Sequence, residues 1–488
     1  MDKINLADYI ICRASKHDQD KIALQDDVSK LTYKELGSKI KIFAQYLIDH
    51  DVRPGDRLGI LMGDCVEWCI GFFSTLYVGA NPVLLSPRIP KKNISAMIRS
   101  SNARFLIYDN NETNLEDLDI HSKIVCIDKQ KILLYGTELQ THYEFHPDEL
   151  TLWCSSSGTS GKGQKFVLHR HQSMLYAIDM NVKMHNINST SVIFSTPKLS
   201  YQYGLMDMVY GLAQGGKVIV SNKIPVRQHV CDTVKNNLVT HLFTTPTIII
   251  SMIKTDQAVD DIKSVNYVLC GGESLPKFIE KRFFHLYKKN IFNGIGMAEI
   301  LTWATSQTPT RKKTGTIGVP MPGTICEVRN TSGGLCAVNE IGELYIKQKT
   351  MALMYWNSLE SSIETFSDGW FKTKDMVYWD QDGYLIYVCR KDDLIRVKES
   401  YVNPIDIEEE ILQHPAVEEC VVISVKNKFD MPEILSKIVI KDDYNLVARD
   451  VRKFLKNKLE IHKIPKYIDF VDVLPKTVTT KKIRNTNK

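Results

Sequence analysis

The chain reads as α/β, with a large N-terminal part built of layered α/β subdomains and a β-rich subdomain, followed by a small separate α+β domain. Three observations predict this. Strand and helix patterns alternate through the first part of the chain, and near Gly315 the texture changes to short strands and tight turns. Near Arg390 it changes again, to a compact succession of strand, helix and strand. With 488 residues the chain is long enough for a large core and for more than one domain, and the expected division is 1–390 and 391–488.

The elements follow in order. "LTYKELGSKIKIFAQYLIDH", from Leu31, predicts a helix, and "RLGILMG", from Arg57, a strand. "CIGFFSTLYVGANPVLL", from Cys69, is the longest apolar segment, but Ser, Thr, Gly, Asn and Pro interrupt it. It is too short and broken to span a bilayer and predicts a buried helix running into a strand. "ARFLIYD" from Ala103 and "LTLWC" from Leu150 predict strands, and "QSMLYAIDMNVKM" predicts a helix with Leu175, Ile178 and Val182 on one face. "SVIFSTP" from Ser191 and "GKVIVSN" from Gly216 are further strands of a largely parallel sheet, whose ligands are expected at the strand ends.

Composition narrows the class. Hydrophobic residues make up 43% and charged residues 24%, as in ordinary globular proteins. A net charge of +5, from 62 basic and 57 acidic residues, is too mild to imply a nucleic-acid partner. Eleven cysteines occur without a CxxC pair; Cys65 and Cys69 are the closest, so reduced thiols in the cytoplasm are expected and no zinc site. The opening "MDKINLADYIICRASKHDQDK" has acids and no long apolar core, unlike a secretory signal, and no membrane partner is expected.

Between the strand at Leu150 and the helix at Gln172 lies "SSSGTSGKGQK". Glycines let main-chain N–H groups turn toward an anion, and hydroxyl and ammonium groups add donors, which suits a polyphosphate. Gly158 and Gly163 have Walker A spacing, but Gln164 follows, Lys165 comes one place late, and no Ser or Thr succeeds it. A P-loop phosphotransferase is therefore disfavoured.

Taken together, several segments resemble the acyl-adenylate-forming, AMP-binding enzymes, and the resemblance runs over nearly the whole chain. "SSSGTSGKGQKFVLHRH" is similar to that family's SSGTTGxPKGVxHTH loop, with Lys165 in the lysine role; "CGGESLP" (270–276) is similar to its adenine-contacting turn, and "NGIGMAE" (293–299) to GYGMTE. "GWFKTKDMVYWDQDGYLIYVCRKDD" is similar to GWxxTGDxxxxDxDGYxxxxGRxDD, and "LPKTVTTKKIR" to PKTxSGKIxR.

The resemblance implies a triphosphate grip at Ser156, Ser157, Gly158, Thr159, Ser160, Gly161 and Lys165. It also implies nucleotide contacts at Gly272, Glu273, Ser274, Asn293, Gly294, Ile295, Gly296, Met297 and Ala298. It assigns Glu299 to Mg2+ and ATP oxygens, Asp375 to the ribose hydroxyls, Arg390 to ribose or phosphate, and Asp392 to a hinge. Lys481 is the catalytic lysine, with Lys482 as the one-residue alternative. The implied reaction activates a carboxylic acid with ATP as acyl-AMP and then passes the acyl group to a thiol, CoA or a carrier protein. "KLSYQYGL", "YVLCGGESLP", "NGIGMAEI" and "MALMYWN" are most similar to benzoate and related aryl-CoA ligases. A compact aromatic or short acyl acid is thus expected beside Ser200, Tyr201 and Gln202, with Tyr201 at the junction with the thiol tunnel. No aspartate stands in "LSYQYG" to receive a substrate amine, although Asp207 follows shortly after. Phe166, Ala298, Lys374, Glu399 and Thr480 depart from usually fixed positions. They keep open a nucleotide-binding protein without the activity, and Glu399 makes CoA a less secure acceptor than adenylation itself.

Overall fold

Two twisted sheets face each other across a shared layer of helices. The computed structural model describes residues 3–15, 18–120, 123–134, 136–155, 165–254, 260–397, 400–427 and 431–474. Among these, one sheet has seven strands. Its parallel run is Leu150–Ser155, Asn81–Leu85, Arg57–Leu61, Phe105–Tyr108 and Val125–Asp128, and Phe166–Arg170 and Met354–Tyr355 add an antiparallel edge. The other has nine, with a parallel run through Ile291–Gly296, Tyr267–Cys270, His241–Thr244, Val192–Ser195, Lys217–Ile219 and Ile22–Gln25. Both bury two faces, which is why their strands read as continuous apolar runs.

The helices Leu6–Ser15, Tyr33–Asp49, Val66–Tyr77, His171–Met184 and Gln202–Ala213 contribute to one core that also takes Leu58 and Leu84 from the first sheet and Phe243 and Leu269 from the second. Tyr33–Asp49 shows why the sequence forms this layer. Thr32 and Glu35 close a capping box at its start, and Leu36, Ile40, Phe43 and Leu47 recur at helical spacing on the buried face. Burying Phe43 fully contributes about 1.5–3 kcal/mol, and losing the Thr32 cap would cost about 1 kcal/mol. The segment from Cys69 is the buried helix Val66–Tyr77 followed by the strand Asn81–Leu85, and no helix among the described residues is long and apolar enough to cross a membrane.

From Ile325 onward a third, antiparallel sheet is built from Ile325–Arg329, Gly342–Lys347, Trp370–Trp379, Phe366–Ser367 and Leu385–Arg390. Beyond it, the hairpin Ile395–Val397/Ser400–Val402 leads to a smaller core of its own. There the helices Pro404–Leu412 and Ala448–Leu455 cover the strands Val417–Lys426, Pro432–Ile440 and Tyr467–Phe470. This smaller unit touches the larger one through Lys254 and Glu418, 2.6 Å apart, and through the Lys277 amide, which donates to Glu409 Oε1 at 3.3 Å.

Candidate active site

Strand ends set the site. Cys270 and Asn293 are partners on adjacent parallel strands, so the segments that follow them, 271–274 and 294–299, leave the same edge of the nine-stranded sheet. Gly272 has a φ of +91°, a left-handed turn that glycine adopts without strain and that lets Glu273 accept a hydrogen bond from Thr247 Oγ1 at 3.2 Å. Asn293 is buried and donates from Nδ2 to the Thr316 carbonyl at 3.2 Å, and its Oδ1 has no hydrogen-bond partner among the described residues. Ile295, Gly296, Met297 and Ala298 are half-buried. The Ala298 carbonyl is pinned by His169 Nε2 at 2.7 Å. Burial pushes the His169 imidazole down to about 4, so the ring stays neutral with its Nε2 proton on that carbonyl.

Glu299 follows in the short helical turn Ala298–Ile300, half-buried, with its carboxylate accepting from the Tyr355 hydroxyl at 2.8 Å and its carbonyl from the Ala352 amide at 2.8 Å. Burial, and then the Glu299 charge, raise the Tyr355 phenol above its ordinary value, which keeps it a donor. The face of the same ring carries Lys165, whose Nζ lies 5.3 Å from the centroid and donates to Ser361 Oγ at 2.6 Å. An acid, a phenol and an ammonium from three distant stretches thus form one cluster. The strand pairing of Met354–Tyr355 with Phe166–Arg170 brings two of them side by side.

Asp375 and Arg390 are direct partners on the antiparallel strands Trp370–Trp379 and Leu385–Arg390. Asp375 is only 4% exposed; its Oδ1 accepts from Arg390 Nη1 at 3.1 Å, and the same nitrogen donates to the Thr373 carbonyl at 3.0 Å. Burial works against the guanidinium's charge, but Asp375, Tyr387 and, more weakly, Glu299 outweigh it and hold Arg390 above its ordinary range. Arg390 also acts electrostatically on Tyr355, so the two clusters belong to one site. Lys374, where the motif has glycine, keeps glycine's backbone: its φ is +61°, and its side chain reaches Glu364 at 3.0 Å. Asp392 is exposed in the turn Lys391–Asp393, which joins the two units and is tied back by Lys391 to Glu343 at 2.7 Å.

Tyr201 precedes the helix Gln202–Ala213 as its N-cap residue, and Ser200 is buried while Tyr201 and Gln202 are half-buried. Burial raises the Tyr201 phenol, and neighbouring Ser86 and Arg88 oppose that rise. Asp207, one turn further, is 1% exposed and accepts from Ser195 Oγ at 2.7 Å. Burial raises its carboxyl well above the usual carboxylate range, so it is a neutral core group and offers no anion to a substrate amine. Ser156, Ser157, Gly158, Thr159, Ser160, Gly161, Glu399, Thr480, Lys481 and Lys482 lie outside the described residues.

A family model described as "AMP-binding enzyme" matches residues 12–356, and one described as "AMP-binding enzyme C-terminal domain" matches 406–481. The chain is an AMP-binding enzyme. Among curated relatives it is similar to a benzoate–CoA ligase of Thauera aromatica, 26% identical over 93% of this chain and 90% of that one. It is likewise similar to a 3-hydroxybenzoate–CoA ligase of Aromatoleum sp. (strain CIB), 26% identical over 95% and 92%. Among solved structures, the anthranilate CoA ligase AuaEII in complex with anthranoyl-AMP superposes with a TM-score of 0.91 at 25% identity, covering 99% of this chain and 96% of that one. A benzoate CoA ligase from Burkholderia xenovorans LB400 does so with 0.88 at 27%, covering 98% of each.

Within this AMP-binding enzyme the structure adds residues that motif reading passed over. Tyr355 lies in "MALMYWN", a segment used only for its likeness to aryl-CoA ligases, and its hydroxyl is what holds Glu299. Ser361 and His169 likewise fix Lys165 and Ala298. Nothing in the spacing of Tyr355 and Glu299, 56 residues apart, announces the contact.

Proposed function

We propose that this enzyme is an acid–thiol ligase: it activates a carboxylic acid, aromatic or short acyl, with ATP and then transfers the acyl group to the thiol of CoA. The observation that carries this reading is the convergence of Lys165, Tyr355, Glu299, Arg390 and Asp375 beside the glycine-bearing segments 271–274 and 294–298. A cation, an acid and a buried carboxylate–guanidinium pair at the ends of parallel strands suit a nucleotide triphosphate.

In the first half-reaction the acid's carboxylate oxygen attacks the α-phosphorus of ATP, the bond to the β-phosphate oxygen breaks, and pyrophosphate leaves. Lys165 and the loop from Ser156 to Gly161 hold the β- and γ-phosphates. Asp375 accepts hydrogen bonds from the ribose hydroxyls, and Arg390 pairs with ribose or phosphate. Gly272, Glu273, Ser274, Asn293, Gly294, Ile295, Gly296, Met297 and Ala298 border the nucleotide. The free Asn293 Oδ1 is an acceptor suited to a base amino group. Lys481, with Lys482 as its neighbour in register, neutralises the charge that grows on the α-phosphate. Among the described residues no group of three or more His, Cys, Asp and Glu could cage a metal. A Mg2+ ion bound chiefly by phosphates and by the single half-buried carboxylate of Glu299 fits that arrangement, and it would supply Lewis-acid neutralisation of the phosphates. In the second half-reaction the thiol sulfur attacks the acyl carbon, the bond to AMP breaks, and the thiol proton is released. The small unit turns about Asp392 to admit the thiol, taking 1–390 and 391–488 as the moving bodies. A reducing, cytoplasmic setting agrees with cysteines that form no disulfide among the described residues.

The test is acid-dependent exchange of labelled pyrophosphate into ATP across a panel of carboxylic acids, with Lys481→Ala and Lys482→Ala alongside the unaltered enzyme. The expected result is exchange with at least one acid, lost in Lys481→Ala. Loss in Lys482→Ala alone would move the role by one residue, and exchange with no acid would leave a nucleotide-binding protein without the activity.

A further inference from the structure

Apart from the candidate active site, a cleft of about 520 Å³ opens where the start of the helix His171–Met184, the end of the strand Gly342–Lys347 and the turn between Phe366–Ser367 and Trp370–Trp379 meet. Its lining includes Arg170, Lys347 and Lys349 and no acidic residue. None of Lys165, Glu299, Tyr355, Asp375 and Arg390 lines it. Such a volume is in the range of small-molecule sites, and a cleft lined by one sign of charge concentrates ions of the other.

The cations of this cleft are not neutralised from within. Lys347 and Lys349 are exposed and rest on aromatic rings, Lys347 Nζ 5.8 Å from the Trp370 centroid and Lys349 Nζ 4.8 Å from that of Tyr176. The acids of the neighbouring strands are engaged elsewhere, Glu327 with Arg329 at 2.6 Å and Glu343 with Lys391 at 2.7 Å. Arg170 Nε lies 3.4 Å from Asp148 Oδ1, but that carboxylate is 63% exposed, so the pair is wet and weak. At the rim, Gly369 leaves Lys347 uncovered: it is exposed, and a Cβ on it would stand 3.7 Å from the ammonium. Beside the charges the wall is apolar, with Ile325 54% exposed and Met351, Phe366 and Trp370 half-buried. An inorganic anion would leave that wall wet, whereas a ring or chain ending in an anionic group would cover it.

The residues on the inner side of the cleft also hold the turn of Glu299. Gln348 Nε2 donates to the Ile300 carbonyl at 3.3 Å and the Ala352 amide to the Glu299 carbonyl at 2.8 Å, and Arg170 directly follows His169, which pins the Ala298 carbonyl. Phe366 lies 5.5 Å, ring to ring, from Tyr355. We propose that this cleft is a second binding site, for an organic phosphate whose body is a ring or another apolar group, and that the affinity for ATP and Mg2+ at Glu299 responds to its occupancy. A phosphate dianion suits a planar guanidinium fork and two ammonium point charges, and its apolar body covers Ile325 and Trp370. A ligand that draws Arg170 and the segment 348–353 together favours one placement of the Glu299 turn over another, and that difference in affinity is what couples the two sites. Binding in the cleft does not depend on the ligase reading; the coupling rests on Glu299 belonging to the nucleotide site.

The experiment is titration calorimetry of the full chain, saturated with ATP and Mg2+ in the absence of any acid, with phenyl phosphate as the probe and inorganic phosphate and benzenesulfonate beside it. Saturation keeps the probe out of the nucleotide site. Phenyl phosphate should bind with one equivalent, about tenfold or more tighter than inorganic phosphate, which lacks the ring, and than benzenesulfonate, which carries one charge. The double variant Lys347→Gln, Lys349→Gln changes two exposed side chains, so it should fold normally and lose about tenfold or more in affinity for the probe. In the reverse titration, saturating phenyl phosphate should shift the Kd for ATP with Mg2+ by about fivefold or more in the unaltered enzyme and by less than twofold in the double variant. Failure of the probe to bind the saturated enzyme would overturn the proposal. So would equal affinity for inorganic phosphate or benzenesulfonate, undiminished binding to the double variant, or an ATP affinity that does not move when the probe is bound.

Discussion

Replacing Asp375 separates a ribose-binding role from a structural one. The carboxylate is 4% exposed and shares one oxygen with Arg390 at 3.1 Å, so it can accept from a diol only with its remaining lone pairs. Asp375→Asn keeps the shape, removes the charge and replaces one acceptor by a donor, at the cost of about one charge-assisted hydrogen bond, roughly 1.5–3 kcal/mol. That corresponds to a fall of roughly 10- to 150-fold in kcat/KM for ATP. Asp375→Ala removes both acceptors, for roughly a hundredfold or more. It also leaves Arg390 Nη1 with the Thr373 carbonyl but without its carboxylate partner, and because that side chain is 37% exposed, solvent limits the loss of stability to about 1–2 kcal/mol. The assay is steady-state pyrophosphate release with ATP and acid varied in turn, with urea unfolding for each variant. ATP should be affected far more than the acid, and Asp375→Asn should lose affinity with little loss of stability. An unchanged ATP dependence, or equal losses for ATP and acid that track stability, would refute the ribose assignment.

Tyr355→Phe deletes the donor that holds Glu299 at 2.8 Å while leaving the ring under Lys165. Adenylation should slow by roughly tenfold with the Mg2+ requirement shifted to higher concentration, measured by exchange across a magnesium titration, and an unshifted requirement would count against Glu299 as a metal contact. Lys374→Gly relieves a φ of +61° and should raise stability by roughly 1 kcal/mol in urea unfolding, whereas Lys374→Ala, which keeps the strain and loses the contact with Glu364, should not. His169 titrates near 4 when folded and near 6.5 when unfolded, so the neutral ring's contribution is complete above pH 6.5 and is lost as pH falls toward 4. His169→Gln does not titrate, so relative to the unaltered enzyme its stability should improve by about 2 kcal/mol between pH 7 and pH 5, and a pH-independent difference would show the imidazole to be ordinary.

The architecture was legible in the sequence because apolar runs of strand length alternate with helical periodicity, as at Arg57–Leu61 and Val66–Tyr77. "LTYKELG" was legible only in part. Its first two residues end the edge strand Lys30–Thr32, and the helix begins at Tyr33, because Leu31 pairs with Leu24 before Thr32 caps the helix. Motifs located Lys165, Glu299, Asp375 and Arg390 individually, since each is carried by a local run of residues. What holds them, Tyr355 on Glu299 and Ser361 on Lys165, comes from pairings between strands and helices far apart in the chain, which no local pattern encodes.

The departures from the family pattern follow the same division. Lys374 replaces glycine yet adopts glycine's backbone, because the bulge in the pairing of Trp370–Trp379 with Gly342–Lys347 falls there and the Glu343 carboxylate accepts from its amide at 3.2 Å. The fold dictates the conformation and the residue pays for it, so this substitution leaves Asp375 in place. Ala298 lacks a hydroxyl, but its carbonyl is still the acceptor for His169, so the turn that presents Glu299 keeps its anchor. Phe166 is buried against Trp153, with ring centroids 5.9 Å apart. At these three positions the surrounding contacts absorb the change in side chain without displacing a candidate catalytic group. That favours an active ligase over a nucleotide-binding relic.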